Sequence, residues 1–161
     1  MGLAGVEEDR GLLVRDYLPG GGRRPRNIDQ VLTDLAEAGV PPLAAYERLA
    51  IEDIQRAADL FRGVYDSSGG ADGFVSLEVS PELAHDGDAS LEEARRLWAA
   101  VDRPNVMIKI PGTDAGLPAI EQALAEGINV NITLLFSLEG HEQVMESYLR
   151  ALERRAERGE S

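Results

Sequence analysis

The sequence predicts an α/β protein built on a parallel sheet. Two observations carry this expectation. Short segments of alternating apolar residues take turns with segments of helical period. The distance from one alternating segment to the next also fits one strand–helix unit, the spacing that parallel pairing needs.

Taken in order, periodic structure begins near Ile28. Ile28, Val31, Leu32 and Leu35 recur at helical spacing, and Gly39 is expected to stop that helix. After Pro41-Pro42, a longer helix shows Ile51, Ile54, Ala58, Phe61 and Tyr65 on one face and ends at Ser67-Ser68-Gly69-Gly70. Phe74–Val79 (FVSLEV) reads as the first strand. Ser90 and Glu93 have capping-box spacing and predict the start of a helix running through Leu97 and Trp98. Asn105–Ile110 (NVMIKI) is the second strand. A helix over Ala115–Glu126, with Thr113 as its N-cap, ends at Gly127. Asn129–Phe136 (NVNITLLF) is the third strand. Ser137 can cap a last helix with Val144, Tyr148, Leu149 and Leu152 on its apolar side.

Composition narrows the function. The chain has 161 residues, 43% of them hydrophobic and 28% charged, the profile of a globular domain. It has no cysteine, which excludes disulfides, thiolate metal sites and thiol nucleophiles, so the cytosol is the default location. The net charge of −13 argues against a nucleic-acid partner. No stretch approaches the roughly 18 apolar residues of a membrane span. Residues 1–28 read as an irregular tail or linker. Its basic cluster, Arg23, Arg24 and Arg26 after Gly20-Gly21-Gly22, fits a solvated linker better than a phosphate site. Leu12–Leu18 is a weak candidate for an additional edge strand. No His/Asp/Glu cluster has metal-ligand spacing, and His85 and His141 are read as solvated. The PGTDAG stretch fails the P-loop pattern.

The polar residues of the strands are the anomaly. Strands of a parallel sheet are covered on both faces and usually read as nearly unbroken apolar runs. Here, with side chains alternating, Ser76 and Glu78, then Met107 and Lys109, then Asn131 and Thr133 fall opposite the apolar faces in three successive strands. An ionised group buried without partners is very costly. Two readings fit: a buried Glu78–Lys109 ion pair kept for specificity, or a polar active site. A desolvated lysine presents a nucleophilic free amine that can condense with a ketone. Glu78 would then manage protons, directly or through a water. Asn131 would bind substrate hydroxyls or hold Lys109, and Thr133 would position a water.

The segments YERLAIEDIQRAAD, SLEVSPELAHD, LWAAVDRPNVMIKIPGT, GLPAIEQALAEGINVNITLLFS and YLRALERR resemble the transaldolase family in its shorter bacterial form, from about Asn27 onward. The resemblance implies that residues 29–161 are part of a (β/α)8 barrel, about strands three to five with their helices; a full barrel needs about 250 residues. It implies that Lys109 of KIPGT is the Schiff-base lysine and that Glu78 of SLEV is the water-holding acid. It implies that Asn131 and Thr133 fall at active-site positions of the family; Thr133 is read as catalytic, and Asn131, Ser76 and Thr113 are read as substrate contacts. The implied reaction moves a dihydroxyacetone unit from a ketose phosphate to an aldose phosphate, with no metal or organic cofactor. The family's first-strand aspartate and second-strand asparagine find no counterpart upstream of Asn27, and its phosphate-binding arginine and serine belong to strands six and seven. Impaired transfer is therefore expected. A simple Schiff-base aldolase and a non-catalytic, partner-binding α/β module remain the other readings. Self-association, or pairing with a complementary barrel fragment, is expected from the open sheet edges.

Overall fold

A computed structural model describes residues 28–160. The tail's basic cluster and the Leu12–Leu18 segment lie outside the described residues. Two compact units meet in sequence between Arg48 and Leu49. In the first, α1 spans Ile28–Glu37 and α2 begins at Pro42. Gly39, at φ 71°, follows the end of α1, since a residue without Cβ enters the left-handed region without penalty.

The second unit holds the rest of α2, which ends at Ser67, then β1 (Val75–Glu78), a 3-10 turn (Pro81–Leu83), α3 (Gly87–Val101), β2 (Val106–Pro111), α4 (Leu117–Ala125), β3 (Val130–Thr133) and α5 (Leu138–Glu157). The three strands form one parallel sheet in the order β1-β2-β3. Parallel neighbours need a crossover, and α3 and α4 supply the two crossovers.

The apolar faces behave as their alternation predicts. Val106, Ile108 and Ile110 are fully buried. With Val79, Ala94, Leu97, Ile120, Ala123 and Ile128, the two isoleucines form the core between sheet and helices. Each such isoleucine contributes about 1.5–3 kcal/mol by leaving water.

One buried polar side chain ties three elements together. Asn105 is 0% exposed, and its Nδ2 donates to the carbonyl oxygens of Ala58 in α2 and Gly73 before β1, at 2.8 and 2.9 Å. Gly73 sits at φ 84°, and a Cβ there would lie 2.6 Å from the Tyr65 amide nitrogen, so glycine is required for this close approach to α2.

Several boundaries differ from the sequence expectation. Helix α3 starts at Gly87, capped by Asp86, whose carboxylate accepts from the Ala89 N–H at 3.0 Å. Ser90 and Glu93 are not a capping box: the Ser90 hydroxyl donates back to the Leu83 carbonyl, and Glu93 accepts from the Ser80 N–H. The 3-10 turn brings Asp86 into capping position four residues before Ser90. Helix α4 starts at Leu117 rather than Ala115, because Thr113 caps the turn before it: its Oγ1 accepts from the Gly116 N–H at 3.1 Å. Strand β3 stops at Thr133, since Leu134 turns to φ 63° and breaks the extended chain. In α5, Ser137 is the cap, as expected. Its buried row, however, is Val144, Ser147 and Ala151, whose small side chains let α4 approach closely. Tyr148, Leu149 and Leu152 stand on the exposed side, as does Phe61 of α2.

Outside the core, charges tie α3, α4 and α5 together. Arg95 of α3 grips Glu126 with two nitrogens, Gln122 donates to the same carboxylate, and Arg150 and Arg154 of α5 reach Glu121. The Arg95 hydrogen bonds hold the Glu126 carboxyl down at about 2, with the Gln122 bond adding to them and partial burial opposing.

Two outcomes follow from this packing. Asn105→Ala removes both buried bonds and should lower the unfolding free energy by about 1–3 kcal/mol in urea titrations; a change under about 0.5 kcal/mol, the scale of an ordinary surface substitution, would mean the clamp is idle. Glu126 has a depressed folded carboxyl, so its stabilisation is present above its ordinary value of 4.5 and is lost as pH falls from there toward about 2. Glu126→Gln should flatten the urea midpoint across that window, and an unchanged acid slope would contradict the assignment.

Candidate active site

The site begins with strand register. Glu78 pairs with Lys109 across β1 and β2, and Lys109 with Asn131 across β2 and β3. Partnered residues of a parallel pair point to the same side, so carboxylate, amine and carboxamide form one row across the sheet, on the face opposite the apolar core. Ser76 and Met107 form the neighbouring row toward the strand starts; Pro111 and Thr133 form the one beyond. The sheet thus brings together Ser76, Glu78, Lys109, Asn131 and Thr133.

Within this cluster, Lys109 Nζ lies 3.4 Å from Glu78 Oε2. Asn131 Nδ2 donates to Ser76 Oγ at 3.0 Å. Among the described residues, Thr133 Oγ1 is buried without a hydrogen-bond partner, an arrangement that native proteins seldom leave unexplained.

The expectation of a desolvated ion pair is corrected here. The side chain of Lys109 is 30% exposed and that of Glu78 50%. Among the described residues nothing seals this face. The same exposure weakens the reading of a structural ion pair, because exposed pairs contribute only about 0–1 kcal/mol.

Thr113 stands apart from the row, on the loop between β2 and α4. Its hydroxyl donates to the Ala84 carbonyl at 2.6 Å while accepting from Gly116. This loop is pressed against its neighbours. The Gly112 N–H donates to the Thr133 carbonyl at 2.7 Å, and a Cβ on Gly116 would lie 2.2 Å from the Pro111 carbonyl oxygen. The glycines of PGTDAG therefore serve close backbone packing at the end of β2. Leu134, just past Thr133, is held in the left-handed region, at a cost of roughly 1–2 kcal/mol for an L-residue. An open groove of about 650 Å³ lies between the β2–α4 and β3–α5 loops, lined by His85, Thr113, Asp114, Phe136 and Gln143 among others; Lys109, Glu78 and Asn131 are not part of it. His85 and His141 are exposed, as expected. Among the described residues no cluster of side chains could hold a metal ion, and no helix is long and apolar enough to cross a membrane.

Sequence reasoning did not find the Ser76–Asn131 bond or the orphaned Thr133 hydroxyl. Alternation put these residues on one face, but only register shows which of them meet.

Parallel strands alternating with helices, with polar groups in register toward the strands' C-terminal ends, define an α/β protein. The profile described as Transaldolase/Fructose-6-phosphate aldolase matches residues 22–156, and the chain belongs to that family. It is 55% identical over 126 residues to a protein named Transaldolase 1 from Streptomyces coelicolor, covering 78% of this chain and 33% of the relative. Over 122 residues it is 52% identical to Transaldolase 2 from a Nostoc species, covering 76% and 32%. A transaldolase from Mycobacterium ulcerans is 47% identical over 133 residues, covering 83% and 36%. The chain thus spans about a third of the length of these relatives.

If the Glu78–Lys109 pair serves chemistry rather than stability, Lys109→Ala and Glu78→Ala should each change the unfolding free energy by less than about 1 kcal/mol. A loss of about 3 kcal/mol or more, the scale of a broken buried pair, would restore the structural reading.

Proposed function

We propose that this chain carries the amine-bearing part of a transaldolase-type site, and that Lys109 forms an imine with the ketone of a sugar phosphate. The observation that carries the reading is the row Glu78–Lys109–Asn131, a nucleophile flanked in register by a proton carrier and a hydrogen-bonding amide. The Lys109 amine adds to the ketone carbon and water leaves. The sugar's carbon–carbon bond then breaks, an aldose phosphate departs, and the three-carbon unit stays on nitrogen. Addition of this unit to a second aldose phosphate and hydrolysis of the new imine complete the transfer. Glu78, at 3.4 Å from the amine, exchanges protons with it directly or through a water. The unpartnered Thr133 hydroxyl would hold that water, and Asn131 would meet the hydroxyls of the three-carbon unit. Thr113 would act by fixing the loop beside the site, given the two bonds that engage its hydroxyl. Neither metal nor organic cofactor enters this scheme, which is set in the cytoplasm, in the pentose phosphate pathway.

We further propose that residues 29–161 correspond to about strands three to five of a (β/α)8 barrel, and that this chain alone transfers slowly. The support is the match to about a third of the relatives' length. The edges of β1 and β3 carry no further strand among the described residues, and the polar face is half-exposed. Self-association or a complementary barrel fragment would cover both.

Lys109 is the only lysine in the chain, so the imine test has one side-chain candidate. Borohydride reduction in the presence of dihydroxyacetone or fructose 6-phosphate should yield an adduct that maps to Lys109 and disappears in Lys109→Ala. Coupled transfer to erythrose 4-phosphate should stay below about one turnover per second, the low end of typical enzymes. An adduct that persists in Lys109→Ala would overturn the site. Size-exclusion chromatography with light scattering should show a species larger than the 17.4 kDa monomer. A monodisperse monomer with strongly protected Val106–Ile110 amides would contradict the proposal that another chain covers the sheet.

A further inference from the structure

We propose that Ser76 is a positioning residue that orients Asn131, and that it does not itself bind substrate. The inference rests on the imine-forming role of Lys109 proposed above. Ser76 is on β1 and Asn131 on β3, with β2 between them. Ser76 is in register with Met107, and Asn131 with Lys109. A bond of 3.0 Å from Asn131 Nδ2 to Ser76 Oγ therefore crosses the face of β2 between Met107 and Lys109.

Two consequences follow. One amide proton of Asn131 is directed away from substrate, which fixes the rotation of the carboxamide and the side to which its carbonyl oxygen is turned. The serine oxygen accepts this bond, so one of its lone pairs is not available to a substrate hydroxyl. Asn131 has a broad terminal torsion of its own, so without this bond its orientation next to the imine carbon would be left to solvent.

The test is a double-mutant cycle read by the rate of borohydride-trapped adduct against dihydroxyacetone concentration, with the Asn131 side-chain amide followed by NMR. Ser76→Ala should slow trapping by about fivefold, the size of one lost hydrogen bond, and should speed hydrogen exchange of the Asn131 amide. Ser76→Thr, which keeps the hydroxyl, should restore both. In an Asn131→Ala background, Ser76→Ala should have no further effect. Ser76→Cys keeps the volume but accepts hydrogen bonds weakly, and gives the same reading if Ser76→Ala does not fold. Additive losses, with a raised half-saturating concentration in the Asn131→Ala background, would overturn the proposal in favour of direct substrate contact. Unchanged amide exchange in Ser76→Ala would overturn the bond itself. Absence of any adduct in the unsubstituted chain would overturn the proposed function and the catalytic purpose of the bond with it, while the exchange arm still reports on the bond.

Discussion

The rest of the structure depends on the register of β2. This strand is paired on both sides, and the pairing of Glu78 with Lys109 and of Lys109 with Asn131 turns three separate sequence positions into one row. A slip of one residue in either pairing would send every side chain of the slipped strand to the opposite face. The apolar residues resist such a slip, because Ile108 and Ile110 are fully buried against α3 and α4. The core on one face thus fixes the chemistry on the other. Asn129 adds to this at the start of the strands, donating to the carbonyls of Pro104 and Val106, and Asn105 anchors the same end to α2.

Much of this was legible in the sequence. Alternation in FVSLEV, NVMIKI and NVNITLLF located the strands and separated the polar face from the apolar one. Gly39, Gly127 and Ser137 marked helix ends that the structure keeps. Failures came where a non-local contact outranks a local pattern. Ser90 and Glu93 have capping spacing, but the preceding 3-10 turn supplies Asp86 first, and both side chains fold back onto that turn instead. Helix α5 offers two apolar rows, and the more hydrophobic one, with Tyr148, Leu149 and Leu152, is the one left exposed. Packing against α4 selects the row with small residues. Strand β3 ends early because Leu134 takes a conformation that no alternation rule foresees.

The candidate site was legible as residue types and illegible as geometry. Three polar interruptions in phase pointed to Lys109, Glu78, Asn131 and Thr133. The burial expected for the lysine is not found among the described residues, where its side chain is 30% exposed. What distinguishes the lysine is its company: a carboxylate on one side, a carboxamide held by Ser76 on the other, and on the next row a buried hydroxyl that has no partner among the described residues. Spacing could not reveal that Ser76 meets Asn131 across an intervening strand, because the pair is 55 residues apart and joined only through register.

The central claim, that this row is an imine-forming site, is tested most directly by a crystal structure of the borohydride-reduced dihydroxyacetone adduct. The account predicts a carbon bonded to Lys109 Nζ, with the hydroxyls of the three-carbon unit within hydrogen-bond distance of Asn131 and Thr133 and the Glu78 carboxylate beside the nitrogen. A reduced carbon on the N-terminal amine, or on Lys109 with the three-carbon unit turned away from Asn131 and Thr133, would contradict it.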